Sequence, residues 1–99
     1  MKKLDTVDHI AIQVENIDQS LKWYIAKFNC KIIYSDKTWA LVKFDNINVA
    51  FVNKKQHPPH FAILNENISL QNGASVHRDG SVSKYIKDLD SNFIELIKY

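Results

Sequence analysis

The chain is poor in the residues that would give it a covalent frame or a nucleic-acid surface. Among 99 residues there is one cysteine and one arginine. Cys30, being alone, excludes an intramolecular disulfide. It lies in Phe28-Asn-Cys-Lys-Ile-Ile33, where a small apolar residue entering a strand is its plain reading, and no His or acid signature beside it marks a nucleophile. Of thirteen basic residues twelve are lysine, scattered among eleven acids for a formal charge of +2. Nucleic-acid binders concentrate Arg and Lys on one face, so nucleic acid is a poor partner for this chain. Met1-Lys-Lys-Leu-Asp5 lacks the apolar core of a signal peptide. No apolar run approaches the ~18 residues of a membrane span. The expectation is a cytoplasmic protein that does not enter a membrane.

What is present is a single domain's worth of core: 45% hydrophobic and 24% charged residues, near the globular average. A chain of this size buries about two thirds of its unfolded surface. The organising feature is a short repeat. His60-Phe-Ala-Ile63 echoes His9-Ile-Ala-Ile12, and each copy follows a polar stretch and opens a segment that closes on another apolar run. The first segment closes on Ile47-Asn-Val-Ala-Phe-Val52, the second on Phe93-Ile-Glu-Leu-Ile97. Internal repeats of this kind point to a duplicated module.

The first half reads strand, helix, strand, strand, strand. Residues 7–14 have strand character. Asn16 or Asp18 offers an N-cap, and over 19–29 the residues Leu21, Tyr24, Ile25 and Phe28 recur at helical spacing, with Trp23 at the border. Strands are expected over 31–35, 38–44 and 47–52, and residues 53–59 form a polar, proline-bearing linker. The second half opens with a strand over 60–64. Too few residues then separate Leu64 from Gly73 for a matching amphipathic helix. Strands follow over 74–78, 81–87 and 92–98, with Asp79-Gly80 the strongest hairpin signal in the chain. The fold class is therefore α+β: one domain over 1–99, module one at about 5–53 and module two at about 57–99, its helix nearly lost. The bare sheet face of module two needs a cover. A second copy of the chain is the simplest one; the loop at 65–73 is the other.

These residues resemble the vicinal oxygen chelate superfamily, which includes glyoxalases, bleomycin-resistance proteins and extradiol dioxygenases. The resemblance rests on Asp8-His9-Ile-Ala-Ile-Gln-Val14, Asp18-Gln-Ser-Leu-Lys-Trp-Tyr24, Pro59-His60-Phe-Ala-Ile63 and Tyr85-Ile-Lys-Asp-Leu-Asp-Ser-Asn-Phe-Ile-Glu95-Leu. The last is similar to the family's closing Asp-Pro-Asp-Gly-Asn-x-x-Glu-Leu. The resemblance implies paired β-α-β-β-β modules forming a cup-shaped mixed sheet around a divalent metal. It implies His9, His60 and Glu95 as three of four metal ligands. The fourth position falls near Ala50, where no carboxylate stands and Asn48 is the only polar neighbour.

Two imidazoles and one carboxylate suit Fe, Mn, Ni or Zn, and three protein ligands leave coordination positions open to water or substrate. A metal so held can chelate two vicinal substrate oxygens. Glu95, inside an alternating strand, is costly to bury unpaired; a metal is one remedy and a lysine partner the other. Tyr85 reads as an acid or hydrogen-bond donor near the metal, or as a core tyrosine. His77 and Arg78 read as contacts for an anionic substrate group, or as a solvated hairpin. His57, in the linker, is a surface residue, and Trp39 and Phe44 line the core or the cup wall, with Trp39 the candidate substrate contact. The functional expectation is a metal-dependent lyase, isomerase or dioxygenase acting on a small substrate. Its rivals are a metal-free protein that sequesters a small molecule, as bleomycin-resistance proteins do, and an accessory subunit that docks by its bare sheet face.

Overall fold

The computed structural model describes residues 3–70, 73–77 and 80–99. Two units are distinct: residues 9–59, and residues 1–8 together with 60–99. Each is built around a four-stranded sheet.

In the first unit, β1 (Val7–Val14) leads through Asn16 into α1 (Ile17–Lys27), followed by β2 (Lys31–Ser35), β3 (Trp39–Lys43) and β4 (Asn48–Asn53). The Asn16 side chain accepts a hydrogen bond from the Gln19 amide at 2.9 Å, satisfying one of the orphan donors at the helix start. Asp18 in the first turn and Lys27 in the last complement the helix dipole. The helix begins and ends two residues earlier than its periodicity alone predicts, because Phe28 is already extended (φ −131°) and closes α1 as its C-cap. The buried stripe is Ile17 and Leu21, with Tyr24 half-buried, while Ile25 is 42% exposed and falls off it.

Strand order in this unit is β2-β3-β4-β1, with β1 parallel to β4 and the other pairs antiparallel. One sheet face packs under the helix: Ala40, Val42 and Phe51 join Ile17 and Leu21, with Ile12, Val14, Tyr24, Cys30, Phe44 and Val49 at the margin. Cys30 thus takes its expected place beside a core. The other face carries Ala11, Ala50 and Val52, with Trp39 and Leu41 packed against them.

Asp36 shapes the β2–β3 turn. Its carboxylate accepts from the Tyr34 hydroxyl (2.6 Å), the Thr38 amide (2.7 Å) and hydroxyl (2.8 Å), and the Trp39 amide (3.0 Å). These donors, the Tyr34 hydroxyl first, hold its carboxyl well below the usual range against a smaller opposing effect of burial. Tyr34 stacks on Trp39 at 4.5 Å across the same turn.

The second unit contains β5 (His60–Leu64), β6 (Ser75–Val76), β7 (Val82–Lys87) and β8 (Phe93–Lys98), in the order β5-β8-β7-β6. Here β5 and β8 are parallel, and β8–β7 and β7–β6 antiparallel. Among the described residues between β5 and β6 there is no α-helix, so the second module has lost the element that covers the first. The α+β class and the paired-module plan hold. The sheet face that would lie under the missing helix carries Phe61, Ile63, Ile86, Ile94 and Leu96; Phe61 is 38% and Ile86 39% exposed.

The β7–β8 turn is held by Asp88, which accepts from the amides of Asp90 (2.9 Å) and Asn92 (2.8 Å) and from the Asn92 side chain (2.9 Å). Ser91 within it has φ +67°, the left-handed region. That is where the resembled closing motif carries glycine, the residue without a Cβ to strain.

Candidate functional site

The parallel register of β5 and β8 sets the site. His60 lies opposite Phe93 and Ala62 opposite Glu95, so His60 and Glu95 share one face, one pleat apart. On the other side of β8, Tyr85 is opposite Glu95 and Ser83 opposite Ile97. Small Ala62, 0% exposed, leaves the space on this face to the polar side chains.

His60 and Glu95 are both buried, at 8% and 5% exposure. His60 Nε2 lies 3.3 Å from Glu95 Oε1, and His77 Nε2 lies 3.7 Å from Glu95 Oε2. His77 Nε2 is also 2.5 Å from the Ser83 hydroxyl. Tyr85 meets the His60 ring edge-on at 5.0 Å. Burial raises the Tyr85 hydroxyl well above its usual pKa, and the Glu95 charge raises it further. At neutral pH it is a hydrogen-bond donor, not a base.

A cavity of about 320 Å³ opens beside this cluster, lined by Gly73, Ser75, His77, Ser83, Lys84 and Tyr85. That is the lower end of the range for small-molecule sites.

In the first unit, His9 is buried (8% exposed) on β1, and its register partner on β4 is Asn48. Ala11 is opposite Ala50, as Ala62 is opposite Glu95 in the second unit. Ala50 therefore occupies the position in module one that Glu95 occupies in module two, and Asn48 sits one pleat away. Trp39 is half-buried against Ala11, Ala50 and Val52, while Phe44 belongs to the helix-covered core. Arg78 and Asp79 lie outside the described residues. The link from His77 to Glu95 and Ser83 escapes sequence reasoning. The one available signal is that the expected β6–β7 hairpin folds His77 back towards Ser83.

No family model and no curated protein matches this chain. Solved structures do. A hypothetical protein from Bacillus halodurans C-125 overlays with a TM-score of 0.76 at 15% identity, covering 98% of this chain and 96% of that one. A glyoxalase/bleomycin resistance protein/dioxygenase from Alicyclobacillus acidocaldarius is 18% identical with a TM-score of 0.45, covering 100% and 95%. Lactoylglutathione lyase from Agrobacterium tumefaciens is 13% identical with a TM-score of 0.45, covering 93% and 92%. In both units here, the first strand runs parallel to the last, and the two between are antiparallel neighbours. This is the paired-module strand plan that the sequence resemblance to the vicinal oxygen chelate superfamily implies, and the fold is shared with the Bacillus halodurans protein. Identities this low speak to the fold alone, so the chemistry rests on this chain's own side chains. Within that fold, module two supplies a buried imidazole–carboxylate pair beside a small cavity. Module one supplies a buried histidine and no carboxylate at the corresponding place.

Proposed function

We propose that the chain is a divalent-metal-dependent enzyme of the lyase, isomerase or dioxygenase kind, acting on a small substrate that presents two oxygens. His9, His60 and Glu95 would hold the metal. All three are buried and each offers one ligand atom. The observation that carries the reading is the His60–Glu95 contact at 3.3 Å, both side chains nearly free of water. A buried carboxylate is costly unless it is paired, and an imidazole nitrogen stands near each of its oxygens, His60 at 3.3 Å and His77 at 3.7 Å. Two imidazoles and one carboxylate fit Fe, Mn, Ni or Zn and leave positions open.

When bound, such a metal supplies Lewis-acid polarisation of substrate oxygens. The remaining work falls to the chain. Tyr85, kept protonated by burial and by Glu95, donates a hydrogen bond to a substrate oxygen and supplies a proton rather than removing one. The cavity beside it limits the substrate to a small molecule. Trp39, His77 and Arg78 are the further candidate substrate contacts. The protein acts in the cytoplasm as a homodimer. The exposed Phe61 and Ile86 on the face without a helix support that assembly.

A second reading is favoured by one observation: the Ala50 position holds no ligand, so module one contributes a single donor. In that reading the chain binds a small molecule without metal, and the histidines and Glu95 only hydrogen-bond. The domain would still be one unit of function over residues 1–99, with modules at about 5–53 and 57–99.

Elemental mass spectrometry of protein purified without added metal or chelator separates the two. The enzyme reading expects about one Fe, Mn, Ni or Zn per chain, lost in both His60→Ala and Glu95→Ala. No uptake after incubation with each ion would leave the binding-protein reading.

A further inference from the structure

Glu95 is flanked unequally. Oε1 faces His60 at 3.3 Å, and Oε2 faces His77 at 3.7 Å. The His77 ring is itself pinned, because Nε2 lies 2.5 Å from the hydroxyl of Ser83, a residue only 3% exposed. The His77 backbone is fixed as well. Its amide donates to the Ser81 carbonyl at 2.8 Å, and its carbonyl accepts from the Gly80 amide at 3.0 Å. Ser81 is 2% exposed, so the anchor lies inside the fold. The His77 side chain is 36% exposed and borders the cavity, with its Nε2 turned to Ser83 and Glu95.

A carboxylate has two equivalent oxygens and a free terminal torsion, and a broad two-fold well describes it when nothing else intervenes. Ligand groups in metal sites are oriented by partners on the atoms that do not face the metal. We infer that His77 is a positioning residue: held by Ser83, it occupies the Oε2 side of Glu95 and so presents Oε1 towards His60 and any metal held there. This rests on the proposed metal site for its consequence, but the positioning itself is a property of the metal-free chain.

The experiment uses the full chain in both states. Without metal, long-range ¹H–¹⁵N spectra report the ring nitrogens of His60. His77→Ala should move the His60 ring signals, since Oε1 is no longer held at its place, while amide signals of β1–β4 stay put. Ser83→Ala should move them the same way by a smaller amount, and His77→Gln, which returns a nitrogen donor, should bring them back towards wild type. With Co(II) as the probe, His77→Ala should bind about 10–100-fold more weakly with an altered visible band, as loss of an outer-sphere partner does elsewhere. Unmoved His60 ring signals in His77→Ala overturn the inference, whatever the metal data show. A wild type that takes up no Co(II) defeats the metal reading alone, and the imidazole spectra still decide the role of His77.

Discussion

Replacing Glu95 by Gln separates a metal ligand from a structural counter-ion. The variant keeps the shape of the side chain and an oxygen for His60 Nε2, removes the charge, and puts an NH2 in place of the oxygen that faces His77. At 3.3 Å, a full charge pair with protonated His60 is worth about 5 kcal/mol at an effective dielectric of ~20. Against this stands the desolvation of two buried ions, several kcal/mol for each, so that such pairs roughly break even. The metal-free variant should therefore lie within about 1 kcal/mol of wild type, or above it. With a divalent ion at 100 times its dissociation constant, wild type gains about 2.7 kcal/mol. For a domain of this size that is a rise in Tm of about 10–20 °C. Glu95→Gln should show little of it. Thermal melts of both proteins, with and without Zn(II) or Mn(II), give all four values. If metal-free Glu95→Gln falls by about 3 kcal/mol or more and wild type does not respond to metal, Glu95 is a structural counter-ion and the reasoning fails.

Three further predictions concern the frame around the site. Asp36→Asn keeps an oxygen for the three donors on Oδ1, but loses the charge and sets an NH2 against the Tyr34 hydroxyl on the other side, and should cost about 1 kcal/mol near neutral pH. Because the folded carboxyl titrates below the ordinary value of 3.8, its stabilisation is complete above that value and is lost as pH falls through the folded-state pKa. The gap between wild type and Asp36→Asn should thus close in acid melts, and a gap that stays constant down to about pH 2 contradicts this. Ser91→Gly should stabilise by about 0.5 kcal/mol, the relief of a left-handed residue (φ +67°) less the entropy glycine adds to the unfolded chain; urea melts showing a loss refute it. On the proposal that two copies pair through the helix-less face, wild type should scatter as a dimer and Phe61→Lys combined with Ile86→Lys should halve that mass without changing metal uptake; a monomeric wild type, or an unchanged mass in the variant, refutes the proposed contact.

The strands were legible because each is a short apolar run bounded by polar turns, and Lys31–Ser35 and His60–Leu64 fall where that pattern puts them. The helix was legible in kind but set two residues late. Periodicity weights Ile25 and Phe28 equally with Leu21, whereas capping by Asn16 makes Ile17 the first buried residue. Of the site, the pairing of His60 with Glu95 follows from alternation once both strands are in place. Its details did not follow, because they depend on registers that sequence does not state. The equivalence of Ala50 and Glu95 appears only when Ala11 is seen opposite one and Ala62 opposite the other. His77 reaches Glu95 only through a hairpin that sets Val76 against Val82 and Ser75 against Ser83.

The two modules have diverged in complementary ways. The first keeps its helix and lacks a carboxylate at Ala50; the second keeps the carboxylate and, among its described residues, lacks the helix. Glu95 tolerates that loss because of where it stands. It projects from β8, the strand paired by β5 on one side and β7 on the other, so its backbone is fixed by two ladders. A helix over the sheet would cover Phe61, Ile86 and Ile94, which project from the opposite face, and would not touch Glu95, Tyr85 or His60. Losing it therefore removes cover without moving the site. The consequence is a physical separation within one small sheet: one face carries His60, Tyr85 and Glu95, the other Phe61, Ile86 and Ile94. Changes at Phe61 and Ile86 should then be close to additive with changes at His60 and Glu95, because side chains on opposite faces of a sheet do not touch one another directly.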